Sequence, residues 1–218
     1  MHGNGVSWLK DGKNNTVSHQ KHPCMGHLIF FCGNTGKDGR NLVALGHRIP
    51  CVGLFGTCGA STWRSAFIAR YQSEDIRYFN PQVADWRPEY ADIEAQHLAR
   101  DEIILFPVTG ETYGFGSLAE TGFSILQALQ ADPIRNIILM VDEVLNHELE
   151  SDALAFQESL RARRLVNAHI RQLNRANVFI VQDLAEMLRL SVELYRFSTD
   201  VIEGQQKHRN WKRSNNVG

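Results

Sequence analysis

Two glutamates, Glu94 and Glu120, fall within Asn80–Gly122, a stretch reading NPQVADWRPEYADIEAQHLARDEIILFPVTGETYGFGSLAETG. It runs from an Asn-Pro strand end through a carboxylate-rich helix, an apolar strand and a glycine-punctuated loop to a Ser-x-x-Glu helix start. In a parallel α/β sheet these pieces converge at one edge, and both acids could face the same cleft. A pair of acids in one cleft is what breaking and remaking a glycosidic bond requires.

The elements that would position this pair are legible as alternating patterns. Cys51–Phe55, Ile76–Phe79, Glu102–Phe106, Ile137–Val141 and Val178–Val181 are short apolar runs. Between and after them, Thr62–Tyr71, Glu89–Ala99, Ser117–Leu129, Asp152–Asn174 and Asp183–Phe197 carry apolar residues at helical spacing. Continuous apolar strands alternating with helices predict a parallel sheet covered on both faces, with right-handed crossovers. Residues 1–48 precede this rhythm as an irregular extension, in which Leu28–Cys32 and Leu42–Leu45 could form a hairpin. Residues 49–200 form the α/β domain, and 201–218 read as a polar basic tail with Lys207, Arg209, Lys212 and Arg213.

Ligands of an open parallel sheet bind outside the carboxyl ends of its strands. Three loops are therefore singled out. In GTCGAST, Gly56 and Thr57 begin a strand–helix turn whose backbone N–H groups could meet a phosphate or sugar hydroxyl; the bland alternative is a tight turn with Ser61 or Thr62 as N-cap. In NPQVADWRPEY, Asn80 ends the strand and Asp85 can accept hydrogen bonds from ribose hydroxyls. Trp86 either stacks on a base or closes the core. In PVTGETYGFG, Tyr113 belongs to an aromatic loop suited to a lid. Tyr90, Glu94, His97 and Leu98 share one side of their helix, so Glu94 either points into a cleft or makes a boundary contact. Ser117 and Glu120 have the spacing of a capping box; the functional alternative places Glu120 at the sheet's carboxyl edge, facing what the loops enclose. Placed on the first helical turn, Glu120 would be kept ionised by the helix dipole.

The bounds are ordinary. Of 218 residues, 43% are hydrophobic and 22% charged, and the formal net charge is −1. That balance gives no general attraction to nucleic acid or to an acidic membrane. No apolar run approaches a membrane span, and the segment MHGNGVSWLKDGKNN is polar where a secretory leader would be apolar, so a cytoplasmic location is expected. Cys24, Cys32, Cys51 and Cys58 form no Cys-x-x-Cys pair and read as free thiols. The spacing of His2, His19, His22 and His27 matches no zinc pattern, and no metal is expected. There is no GxxxxGK[ST] phosphate loop.

The segments NPQVADW and GSLAETG, with Trp63-Arg64 after the glycine loop, resemble the nucleoside 2-deoxyribosyltransferase-like family, in particular its divergent branch of deoxyribosyltransferase-like proteins. The resemblance covers about residues 50–130. It implies that Glu120 is the nucleophile that attacks C1′ of a (deoxy)ribose and expels the base. An acid on the preceding helix, Glu94 or else Asp92, assists at the base, and Ser117 contacts the sugar or its 5′ substituent. The family carries an acid shortly before the nucleophile motif; here Tyr113-Gly114-Phe115 stands there, and Glu111 is the acid at hand. The expectation is one flavodoxin-like (Rossmann-like) α/β domain with a five-stranded parallel sheet. It would act as a transferase or hydrolase on a small-molecule nucleoside or nucleotide, without a cofactor. Neither nucleic acid nor membrane is an expected partner, and the resemblance admits a homo-oligomer. The rival reading is a non-catalytic nucleotide-binding module of the same fold.

Overall fold

A computed structural model describes residues 49–84 and 87–215. The hairpin expected in the N-terminal extension, the histidines of that arm, Cys24, Cys32, Asp85 and Trp86 lie outside the described residues.

Five strands form one all-parallel sheet: β1 (Val52–Leu54), β2 (Tyr78–Phe79), β3 (Ile103–Val108), β4 (Asn136–Val141) and β5 (Val178–Ile180). Their order is β2-β1-β3-β4-β5. Helices α1 (Arg64–Ser73), α2 (Glu89–Arg100), α3 (Phe115–Ala131), α4 (Ala153–Ile170) and α5 (Leu184–Asn215) alternate with them, and a 3-10 turn (His147–Ser151) precedes α4. This is the flavodoxin-like arrangement expected of the pattern.

Successive β3 residues point to opposite faces and helices cover both, so every β3 residue is apolar and buried. Ile103 and Leu105 face a core built with Phe67 and Tyr71 of α1 and with Met187, Val192 and Tyr195 of α5. Ile104, Phe106 and Val108 face the opposite core, with Leu98 of α2, Leu118 and Ile125 of α3, and Ile170 of α4. The first crossover leaves β1 toward β2, and the chain then returns across β1 to β3. With right-handed connections, that reversal places α1 and α2 on opposite faces. That reversal falls between the carboxyl ends of β1 and β3, the crevice position at which doubly wound sheets bind ligands.

Three boundaries differ from the sequence reading. Helix α1 starts at Arg64 with Trp63 as N-cap and no side-chain cap, because Ser61 and Thr62 spend their hydroxyls on Glu111. Helix α4 starts where its pattern begins, capped by Asp152 accepting from Ala155 N at 3.0 Å, but ends at Ile170 and not at Asn174. The stretch read as a basic tail continues α5 through Asn215. No proline interrupts residues 198–215, and Gly204 alone costs only about 1 kcal/mol in a helix. Helical spacing also puts Lys207 Nζ 3.9 Å from Glu203 one turn back. No helix among the described residues is long and apolar enough to cross a membrane.

Candidate active site at the carboxyl edge of the sheet

The loop after β1 is held from inside. Gly56 has φ +91°, and a Cβ there would lie 2.3 Å from the Pro107 carbonyl, so only glycine fits this close approach to β3. Thr57 is 1% exposed. Its hydroxyl donates to Pro107 O at 3.2 Å and accepts from Thr109 N at 2.9 Å. Its carbonyl accepts from Trp63 Nε1 at 3.0 Å and from Arg64 Nη1 at 2.5 Å. Gly56 and Thr57, expected to meet ligand, thus tie β1 to β3, and the Thr57 side chain is used within the protein.

Arg64 is buried on the first turn of α1. It donates to Leu54 O at 3.0 Å and reaches Cys58 Sγ at 3.3 Å, with its guanidinium carbon 4.5 Å above the Trp63 ring centroid. Burial pushes this guanidinium down from its ordinary value, while Cys58, Glu94 and Glu111 support its charge.

Glu111 joins two of the three loops. Its carboxylate accepts from the Ser61 hydroxyl, from Thr62 N at 3.0 Å, from Thr62 Oγ1 at 2.6 Å and from Thr109 Oγ1 at 3.0 Å. Partial burial pushes its carboxyl up, but those four hydrogen bonds outweigh it and hold the group below the usual carboxylate range. The third loop is tied down as well: Gln82 Nε2 donates to Gly59 O at 3.1 Å and to Ser61 O at 3.3 Å. Asn80 closes a turn by accepting from Gln82 N at 3.0 Å.

The loop after β3 is not the flexible lid its glycines predicted. Arg163, fully buried on α4, donates to the carbonyls of Val108 and Asp142 through Nη1 and of Thr109, Thr112 and Tyr113 through Nη2, at 2.9–3.3 Å. Gly110 N donates to Asp142 at 2.8 Å. Tyr113, expected to line the site, commits its hydroxyl to Leu149 O at 2.8 Å and stacks on Phe115.

Helix α3 begins at Phe115, with Gly114 as N-cap at φ +66° and no side-chain cap bond. Ser117 and Glu120 therefore form no capping box. Ser117 is buried within the first turn, and its carbonyl accepts from Thr121 Oγ1 at 2.6 Å. Glu120 lies in the second turn, beyond the strongest reach of the helix N-terminus. Its carboxyl is pushed up, not down, first by burial and then by the charge of Glu94. Glu94 and Glu120 are each the sixth residue of their helix, and α2 packs against α3. Cys58 shares this environment: burial raises its thiol, Arg64 lowers it, and Glu120 and Glu94 raise it again. Cys58 and Glu120 are exposed, Glu94 is half-buried and Arg64 is buried, and their charges act on one another at this edge. Asp92 is exposed on α2.

The sequence reading missed Gln82 and Arg163. The signal for Arg163 is present: Ser159, Arg163, Asn167 and Ile170 line the buried face of α4 at spacings of four, four and three.

No family model and no curated protein matches the chain. Among solved structures it is similar to the salicylyl-acyltransferase SsfX3 from a tetracycline biosynthetic pathway, at 13% identity and a TM-score of 0.36. That match covers 62% of this chain and 42% of the acyltransferase. A likeness so slight carries no conclusion about activity.

Proposed function

We propose that the chain cleaves or transfers at the N-glycosidic bond of a (deoxy)nucleoside or nucleotide, with Glu120 as nucleophile and Glu94 as the acid serving the base. The reading rests on the resemblance of NPQVADW and GSLAETG. The observation that supports it is that Glu94 and Glu120 are each the sixth residue of neighbouring, packed helices, with the Glu94 charge raising the Glu120 carboxyl. In the first step a Glu120 oxygen bonds to C1′ as the C1′–N bond breaks, and its electron pair leaves with the base, which takes a proton from Glu94. In the second step Glu94 accepts a proton from water, or from an incoming base, as its oxygen or nitrogen bonds to C1′ and releases Glu120. Such a retaining scheme needs the carboxyls about 5–5.5 Å apart. The first step needs Glu120 ionised and the proton on Glu94.

Incubation with deoxynucleosides, nucleoside monophosphates and NAD, with free base as the readout, tests the reading. Base release that is lost in Glu120→Ala supports it; release that survives the substitution removes Glu120 as nucleophile. Tight nucleotide binding without release identifies the non-catalytic module instead.

A further inference from the structure

At the opposite edge of the sheet, Cys51, His97 and Asp101 meet. Cys51 immediately precedes β1, while His97 and Asp101 stand one turn apart at the end of α2. The Cys51 sulfur, a His97 ring nitrogen and an Asp101 carboxylate oxygen all lie within 4.8 Å of one another. His97 Nδ1 is 3.0 and 3.1 Å from the two Asp101 oxygens. We infer that these three side chains bind a single divalent ion of zinc-like chemistry, which clips the start of β1 to the end of α2.

The donor set is the first argument. Thiolate, imidazole and carboxylate together suit zinc and its borderline neighbours, whereas calcium and magnesium take oxygen donors. Tetrahedral bonds of about 2.0–2.3 Å would set such ligand atoms roughly 3.4–3.6 Å apart. The observed spacing needs shifts on the order of 1 Å to reach that geometry.

The second argument is how firmly the side chains are preset. The His97 ring lies flat on Phe79, centroids 3.6 Å apart and planes 3° from parallel, while its Nδ1 faces Asp101. Gly53 makes room for the carboxylate, since a Cβ there would stand 2.9 Å from Asp101 Oδ2. The Cys51 backbone is fixed by its N–H donating to Glu102 Oε2 at 2.9 Å.

The third argument is charge. Cys51 is 5% and Asp101 3% exposed, so a carboxylate and a thiol face each other out of water. A dication with one thiolate, one carboxylate and one neutral imidazole is balanced, which removes the cost of a buried net charge. Binding forms a sulfur–metal bond, and the thiol proton leaves to solvent. His97 enters as the tautomer protonated at Nε2. Its side chain is 24% exposed and gives the ion a way in; water completes the coordination. Cys51 lies before β1, at the end of the sheet opposite the strands' carboxyl ends, and His97 stands one turn beyond Glu94 on α2; the ion's role is structural and does not depend on the glycosidic reading.

Cobalt(II) added to the full-length, chelator-stripped protein is the probe. One ion per chain should produce a thiolate-to-cobalt charge-transfer band together with the visible bands of a tetrahedral ion, and zinc should displace it. Cys51→Ser should abolish the charge-transfer band. His97→Gln, at a partly exposed position, should weaken binding by more than about tenfold, the lower bound for outer-shell partners, with an unchanged circular dichroism spectrum showing that the fold is kept. It should also cancel the rise in thermal midpoint that zinc gives the parent protein. Absence of the thiolate band in the parent would overturn the proposal, as would affinity unchanged in His97→Gln, which would place the ion on other cysteines and histidines of the chain.

Discussion

Arg163→Met tests whether the loop after β3 is held by one buried guanidinium. The side chain is 0% exposed and donates to five backbone carbonyls, at Val108, Thr109, Thr112, Tyr113 and Asp142, as well as to Ser159 Oγ at 3.3 Å. Methionine keeps most of the stem but none of the donors. If each of five buried carbonyls loses a bond worth about 1 kcal/mol net, the gross loss is about 5 kcal/mol. Relief of the guanidinium's own burial offsets part of this; burial already pushes that group down, with Asp142 opposing. A net cost of about 3–5 kcal/mol follows, in line with removing one partner from a buried charged network. With a urea m-value of roughly 2 kcal/mol/M, the unfolding midpoint falls by about 2 M. Hydrogen exchange should locate the damage, with amides of the 109–114 loop losing protection before those of β3. Arg163→Lys should recover little, because one ammonium cannot span carbonyls on both sides of the loop. A midpoint shift under about 0.5 M for Arg163→Met would refute the reasoning and show that water can replace the guanidinium.

Two further outcomes concern ionisation at the crevice. Glu120 is raised partly by Glu94, so Glu94→Gln should lower the Glu120 midpoint in a carboxyl-resolved NMR titration; an unchanged midpoint would mean that the two acids do not share a field. Glu111 is depressed in the folded state, so its unfolded form binds more protons and it stabilises the fold above its ordinary value of 4.5. That contribution is lost as pH falls through the folded midpoint. Glu111→Gln should therefore be less stable than the parent near neutrality, with the gap closing in acid, and a gap that stays constant with pH would count against the hydrogen-bond account.

The fold was readable because its strands and helices carry strong, separate periods. All five apolar runs became strands, and each helical pattern became a helix within a few residues except at the far end of α5, since burial on both faces of a parallel sheet leaves little freedom in those segments. What escaped was long-range polar pairing. Ser-x-x-Glu looks the same whether Ser117 caps a helix or sits inside one, and the choice fell to Gly114, whose positive φ starts the helix earlier. A glycine-rich loop looks mobile from its composition, yet Gly110 and Gly114 are there for clearance. Their Cβ positions would fall 2.3 Å from Val144 O and 2.9 Å from Arg163 Nη2. Glycine here records a partner from a distant part of the chain, which local pattern cannot name.

The same distinction separates the two acids from the rest of the edge. Thr57, Glu111 and Arg163 satisfy hydrogen bonds that would otherwise be buried and unmade, so their polarity is explained by the scaffold. Glu120 is placed differently: its side chain is exposed, and the neighbouring Glu94 charge raises the cost of ionising it. Under the proposed glycosidic reading, the rigid frame of buried arginine, threonine and glycine serves to hold the two acids in place.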